Sequence, residues 1–197
     1  MRSYLTLSTA AAVAAFSLAA CNKPAPEAPE AQPVNAAQDA VGAAVGQASA
    51  TTLGANDTDA FVSNASQSDM YEIEAGKIAQ SRSKTDAVKS FAAMMVSDHT
   101  AMSNEMKSLI AAAQKTPAAS LDERRQGLID NLKAATDANF DRTYLDQQAA
   151  AHEEALTLMR GYADNGGDAG LKGGAAKAVP KIRTHLEKVK SLQTAVK

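Results

Sequence analysis

The chain of 197 residues holds three histidines, His99, His152 and His185, and one cysteine, Cys21. Imidazole serves as a metal ligand or, when buried, as a hydrogen-bonding core group, so the surroundings of each histidine decide its chemistry. All three lie within rows of apolar residues: Met95, His99, Met102 and Met106; Leu145, Ala149, His152 and Leu156; and Ile182, His185 and Val189. If about three in seven helical positions face a core, chance puts all three histidines there about 8% of the time. Glu72 occupies the equivalent position in a fourth row, with Phe61, Ala65, Ser68, Ala75 and Ala79. Glu72, His99, His152 and His185 are therefore candidate ligands for a divalent or copper ion. Asp98, Asp141, Tyr144 and Glu153 are candidates to receive or orient the remaining ring N–H groups. Asp98 sits about 100° round the helix from His99, so it caps or pairs elsewhere.

These rows require helices to carry them. Their spacing of three and four marks amphipathic helices, and Asp57-Thr58-Asp59 offers N-cap chemistry at the start of the first. Val88, Phe91, Met95, Met102, Met106, Leu109 and Ala113 form the second stripe, which ends at Lys115-Thr116-Pro117. A shorter piece follows with Leu121, Leu128 and Leu132. A long helix then starts after Asp137-Ala138-Asn139 and carries Leu145, Leu156 and Met159. Asn165-Gly166-Gly167 is a turn signal. The last helix shows Leu171, Ala175, Ala178, Ile182, Val189, Leu192 and Val196, and Pro180 is expected to kink or break it. Four long helices and one short connecting helix, without period-two segments, predict an all-α four-helix bundle over residues 57–197.

Height along the bundle tests whether the candidate ligands can meet. Measured at 1.5 Å per residue from turns near Ser83 and Gly166, His99 lies about 24 Å away, His152 about 21 Å, His185 about 28 Å and Glu72 about 16 Å. This comparison places both turns at one end, as in an up-down-up-down chain. A chain with a long crossover would use residues 114–136 for it, and His99 and His152 would still lie near mid-bundle.

The N-terminal segments are of a different kind. Met1-Arg2-Ser3-Tyr4 precedes a run from Leu5 to Ala20 without a charge, which is short for a bilayer span and reads as a secretion signal. Leu18-Ala19-Ala20-Cys21 resembles the bacterial lipoprotein lipobox, whose obligatory cysteine coincides with the sole cysteine here. The resemblance implies a signal peptide over 1–20 and acylation of Cys21, palmitate included. Asn22, rather than aspartate, directs the expectation to an outer-membrane lipoprotein facing the periplasm. Residues 21–56 hold Pro24, Pro26, Pro29 and Pro33 among Ala, Gln, Gly, Ser and Thr, and are expected to form a disordered tether in which 36–50 can flicker into helix.

Composition excludes several functions. Lys+Arg number 20 against 22 Asp+Glu, so there is no basic excess for nucleic acid. One cysteine permits neither an intrachain disulfide nor a thiolate zinc cage. No phosphate-binding glycine loop, Gly-x-Ser-x-Gly elbow or His-Glu-x-x-His helix occurs. Glu-x-x-His pairs are also absent, which argues against a di-iron centre of the ferritin type.

Several spaced motifs resemble a bacterial family catalogued as domain of unknown function 4142. They are Phe61-Val62, Glu72-Ile73-Glu74-Ala75-Gly76-Lys77-Ile78-Ala79, Phe91-Ala92-Ala93-Met94-Met95-Val96-Ser97-Asp98-His99, Phe140-Asp141-Arg142-Thr143-Tyr144-Leu145, His152 and His185-Leu186. The resemblance runs from about residue 57 to 195 and implies an exported protein with a ferritin-like helical bundle, without implying an activity. One functional reading is a non-enzymatic envelope protein acting through protein or small-ligand contacts, including under stress, its histidines serving as satisfied core groups. The alternative is a metal-binding (mononuclear zinc, copper or iron) or redox-protective bundle, with catalysis at such a site as a further variant. Imidazole suits zinc and copper, and the methionines beside His99 would favour copper(I). The membrane, through the lipid anchor, is the one partner the residues indicate.

Overall fold

The computed structural model describes residues 32–196, with side chains from Ala36 onward. The expected signal peptide, Cys21 and the proline-rich start of the tether lie outside the described residues. Six helices follow in order: α1 (Gln32–Thr52), α2 (Thr58–Arg82), α3 (Asp86–Ala112), α4 (Glu123–Ala134), α5 (Phe140–Asn165) and α6 (Ala169–Ala195). No strand occurs among the described residues. Helices α2, α3, α5 and α6 are the four long helices of the bundle, and α4 is the short connector.

The helix starts follow local chemistry. Asp57, Asp122 and Asp168 each accept a backbone N–H three residues on, from Ala60, Arg125 and Leu171, which satisfies an otherwise orphaned donor in the first turn. α6 runs through Pro180, so the expected break does not occur there. Pro180 lies on the exposed side, while Ala175 and Ile182 hold another face of the helix in the core.

Two core clusters reveal the topology. One joins Ala79 and Val88, on either side of the α2–α3 turn, to Phe140, Tyr144 and Val189. The other joins Phe61 and Ile110 to Tyr162 and Leu171, on either side of the α5–α6 turn. The two hairpin turns therefore lie at opposite ends, and residues 113–139 run the length of the bundle as a crossover containing α4. Thr58 bonds the Tyr162 hydroxyl at the second end, and Arg82 bonds the carbonyls of Leu132 and Ala135 at the first. The same-end assumption thus fails, yet the levels agree. From the α2–α3 turn end, His99 and His152 stand 13 and 12 residues into their helices, and His185 and Glu72 stand 10 residues from the ends of theirs. All four lie about 15–20 Å from that end.

The largest departure from expectation is α1. Residues 32–52, assigned to a disordered tether, form a helix packed along α5 and α4. Its inward positions are Gly42, Gly46 and Ala50 with the polar Asp39 and Gln47, so it docks by close backbone approach and hydrogen bonds and leaves little apolar periodicity to read. A Cβ at Gly46 would run into Glu154, and one at Gly54 into Leu158.

Candidate metal centre

Helices α3, α5 and α6 each deliver one imidazole to the middle of the bundle, and α2 closes the remaining side. His99, His152 and His185 are 2%, 1% and 1% exposed. Their ring centroids form a nearly equilateral triangle with sides of 5.6, 5.5 and 5.4 Å. One nitrogen of each ring lies within 4.8 Å of one from each of the others.

The outward nitrogen of every ring is held. Nδ1 of His99 bonds Asp69 Oδ1 at 2.9 Å, Nδ1 of His152 bonds the Gln148 carbonyl at 2.8 Å, and Nε2 of His185 bonds Asp98 Oδ2 at 2.8 Å. The inward nitrogens, Nε2 of His99, Nε2 of His152 and Nδ1 of His185, have no hydrogen-bond partner among the described residues. A carbonyl only accepts, so His152 carries its proton on Nδ1 and presents a bare lone pair at Nε2. Each such buried, unpaired group costs about 1–3 kcal/mol. Backing a ring N–H with a carboxylate or carbonyl is the usual way a metal-binding imidazole is oriented and made more basic.

The electrostatics keep two of the three rings uncharged and favour the charge on the third. Burial, with repulsion from His99 and His185, pushes His152 down to about 3, the Gln148 carbonyl opposing only in part. Burial also lowers His185, against the Asp98 hydrogen bond. His99 goes the other way: burial works against its charge, but the Asp69 hydrogen bond and the carboxylates of Glu72, Asp69 and Asp98 outweigh it. Asp98 lies below the usual carboxylate range, because hydrogen bonds from His185 and Lys181 overcome its burial.

Glu72 does not join the triangle. It is buried, but its Oε2 accepts from Gln148 at 2.6 Å, and its Oε1 lies 3.6 Å from Nδ1 of His152, the nitrogen facing away from the other rings. Burial raises its carboxyl to about 7 against the pull of His99 and Gln148. Glu72 therefore lies beside His152, outside the group formed by the three histidines. Of the expected orienting residues, Asp98 takes that role, on His185. Asp141 receives the Thr85 hydroxyl at the start of α5, and exposed Glu153 pairs with Lys190 at 2.7 Å, so neither belongs to the site. Tyr144 is buried against the edge of Phe91. Burial and then the Glu72 charge push its hydroxyl well above the ordinary range. Sequence reasoning missed Asp69 and Gln148. Asp69 stands one helical turn before Glu72, a signal that was available, whereas Gln148 acts on His152 through its backbone.

The donor set suits a first-row transition ion. Three imidazoles, neutral once a metal displaces the His99 proton, match zinc, copper, nickel or iron and not magnesium or calcium. At bond lengths of about 2.0–2.1 Å, tetrahedral ligands stand about 3.3–3.4 Å apart, so the triangle would close by up to about 1.5 Å. A three-histidine set leaves one coordination position for water or another small ligand.

Neither a curated protein nor a solved structure shows significant similarity to the chain. A family model described as domain of unknown function (DUF4142) matches residues 43–192. It begins inside α1 and spans α2 to α5 and nearly all of α6, including every residue of the triangle and its backing groups. On that match the chain belongs to the DUF4142 family.

Proposed function

We propose that this chain is an envelope lipoprotein, acylated at Cys21 and facing the periplasm, whose bundle holds one transition-metal ion on His99, His152 and His185. One observation carries the metal reading: three buried ring nitrogens converge without partners, while the opposite nitrogen of each ring is held. Imidazoles that merely fixed helix register would have both nitrogens satisfied. Enclosure favours retention over turnover of a large substrate, because each ring is at most 2% exposed. Keeping a redox-active ion away from solvent is the protective role this arrangement supports.

The reading is tested with the full chain purified in detergent, equilibrated with zinc or copper and desalted. About one equivalent per chain should remain for at least one of the two ions, and it should be lost in His99→Ala and His152→Ala; less than about a tenth of an equivalent of either would overturn the proposal. The anchor is tested separately. Cys21→Ser should abolish lipid labelling and release the chain from membranes, and unchanged membrane association would refute acylation.

A further inference from the structure

Helix α1 is built inside out. Toward the bundle it turns Gly42, Gly46 and Ala50, followed by Gly54. Toward solvent it carries Val41, 64% exposed, and Val45, 56%, followed by Leu53, 61%; these are the exposed large hydrophobic residues of the described chain. Exposed Ala37, Ala44 and Ala48 fill the same outer face. The only charged residue of α1, Asp39, points inward to Asn131 and Gln147. The outer face thus runs for about 31 Å without a charge. A helix held solely by burial would reverse this pattern.

We propose that the outer face of α1 rests on the lipid surface to which Cys21 anchors the chain; this rests on the reading that Cys21 is acylated. Gln32 follows Cys21 by eleven residues, at most about 40 Å of extended chain, so α1 is the first described helix within reach of the bilayer. A second copy fits less well. A helix face about 31 Å long and 10 Å wide buries about 600 Å² over both partners, below the about 1,000 Å² expected of a stable interface. A bilayer sets no such threshold, because the acyl chains supply the affinity and α1 only selects the side presented. No described helix is long and apolar enough to cross a membrane, so α1 lies along the surface. Since α1 runs beside α5, from Asp39 at Gln147 to Gln47 at Thr157, the bundle axis lies parallel to the membrane.

The test uses the full acylated chain in vesicles of phosphatidylethanolamine and phosphatidylglycerol. A nitroxide is placed through Val45→Cys or, as a control on the opposite α3 face, through Lys107→Cys. Oxygen reports lipid exposure, chromium oxalate reports water exposure, and the mass of the N-terminal peptide reports acylation. The label at 45 should be at least about threefold less accessible to chromium oxalate than that at 107, and more accessible to oxygen. Equal accessibility with an acylated Cys21 would overturn the docking and leave the anchor standing. An unmodified Cys21 would overturn both. Shielding from both reagents, with dipolar broadening between labels, would assign the face to a second copy and likewise overturn the proposal.

Discussion

His152 and Glu154 stand two residues apart on α5, face different sides of the helix and enter two buried polar regions. Around Glu154, both Arg124 and Arg125 donate to Oε1 at 2.8 Å, and Arg125 also reaches Asp122 Oδ2 at 2.6 Å. Gly46 of α1 lies close over this group. Around His152, three imidazoles are each held through one nitrogen, and the other nitrogen of each has no hydrogen-bond partner among the described residues. The first region is closed on itself, as buried charges must be to avoid a large desolvation cost. The second is held on its outer side only, and its unpartnered ring nitrogens are the observation on which the metal proposal rests.

Perturbing each region in turn should separate their roles. The largest effect is expected from His152→Ala, which removes one ligand of three and should weaken zinc binding about 1,000-fold, equivalent to about 4 kcal/mol, in competition with a chelator. If affinity moves less than about tenfold, His152 is not a ligand. Glu154→Ala comes next. It removes one of the two carboxylates that hold buried Arg125 and should cost about 3 kcal/mol in urea unfolding, with zinc affinity unchanged. Parallel losses of stability and affinity would show that the two regions are one network. Asp69→Ala should be milder, weakening zinc binding about 10–100-fold by freeing the His99 ring, while Asp69→Asn should retain part of the affinity.

The smallest effect concerns pH in the metal-free chain. His152 titrates near 3 when folded against 6.5 in the free side chain, so the unfolded chain binds the extra proton and stability falls as pH drops from 6.5 towards 3. Glu72 titrates near 7 against 4.5, so the folded chain keeps its proton longer and stability falls as pH rises from 4.5 towards 7. Between about 4.5 and 6.5 these two contributions oppose each other and largely cancel, so the pH dependence that remains is that of the other shifted groups, among them His185, which burial lowers. Glu72→Gln should uncover a slope approaching 1.4 kcal/mol per pH unit, stability rising with pH; a flat profile in that variant would contradict the balance.

Much of this was legible in the residues themselves. The rows with a spacing of three and four correctly marked the helices, and the coincidence of three histidines with apolar rows marked the centre. Topology was not legible, because Ser83 and Gly166 announce turns without revealing at which end each lies; that depends on where Phe140 and Tyr162 pack. Helix α1 escaped because an interface of Gly42, Gly46 and Ala50 has no apolar period. Asp98 was correctly separated from His99 by its angle, but its partner, His185, lies 87 residues away and only the fold brings them together. Glu72 shares the histidines' level, yet its carboxylate lies behind a ring, a distinction of a few ångströms that spacing along a helix does not resolve.

The central claim is tested most directly by X-ray absorption at the zinc edge of the loaded full chain. Three imidazole nitrogens at about 2.0–2.1 Å, one further light ligand and no sulfur are expected. Fewer than three imidazoles, or a shell unchanged by His185→Ala, would contradict it.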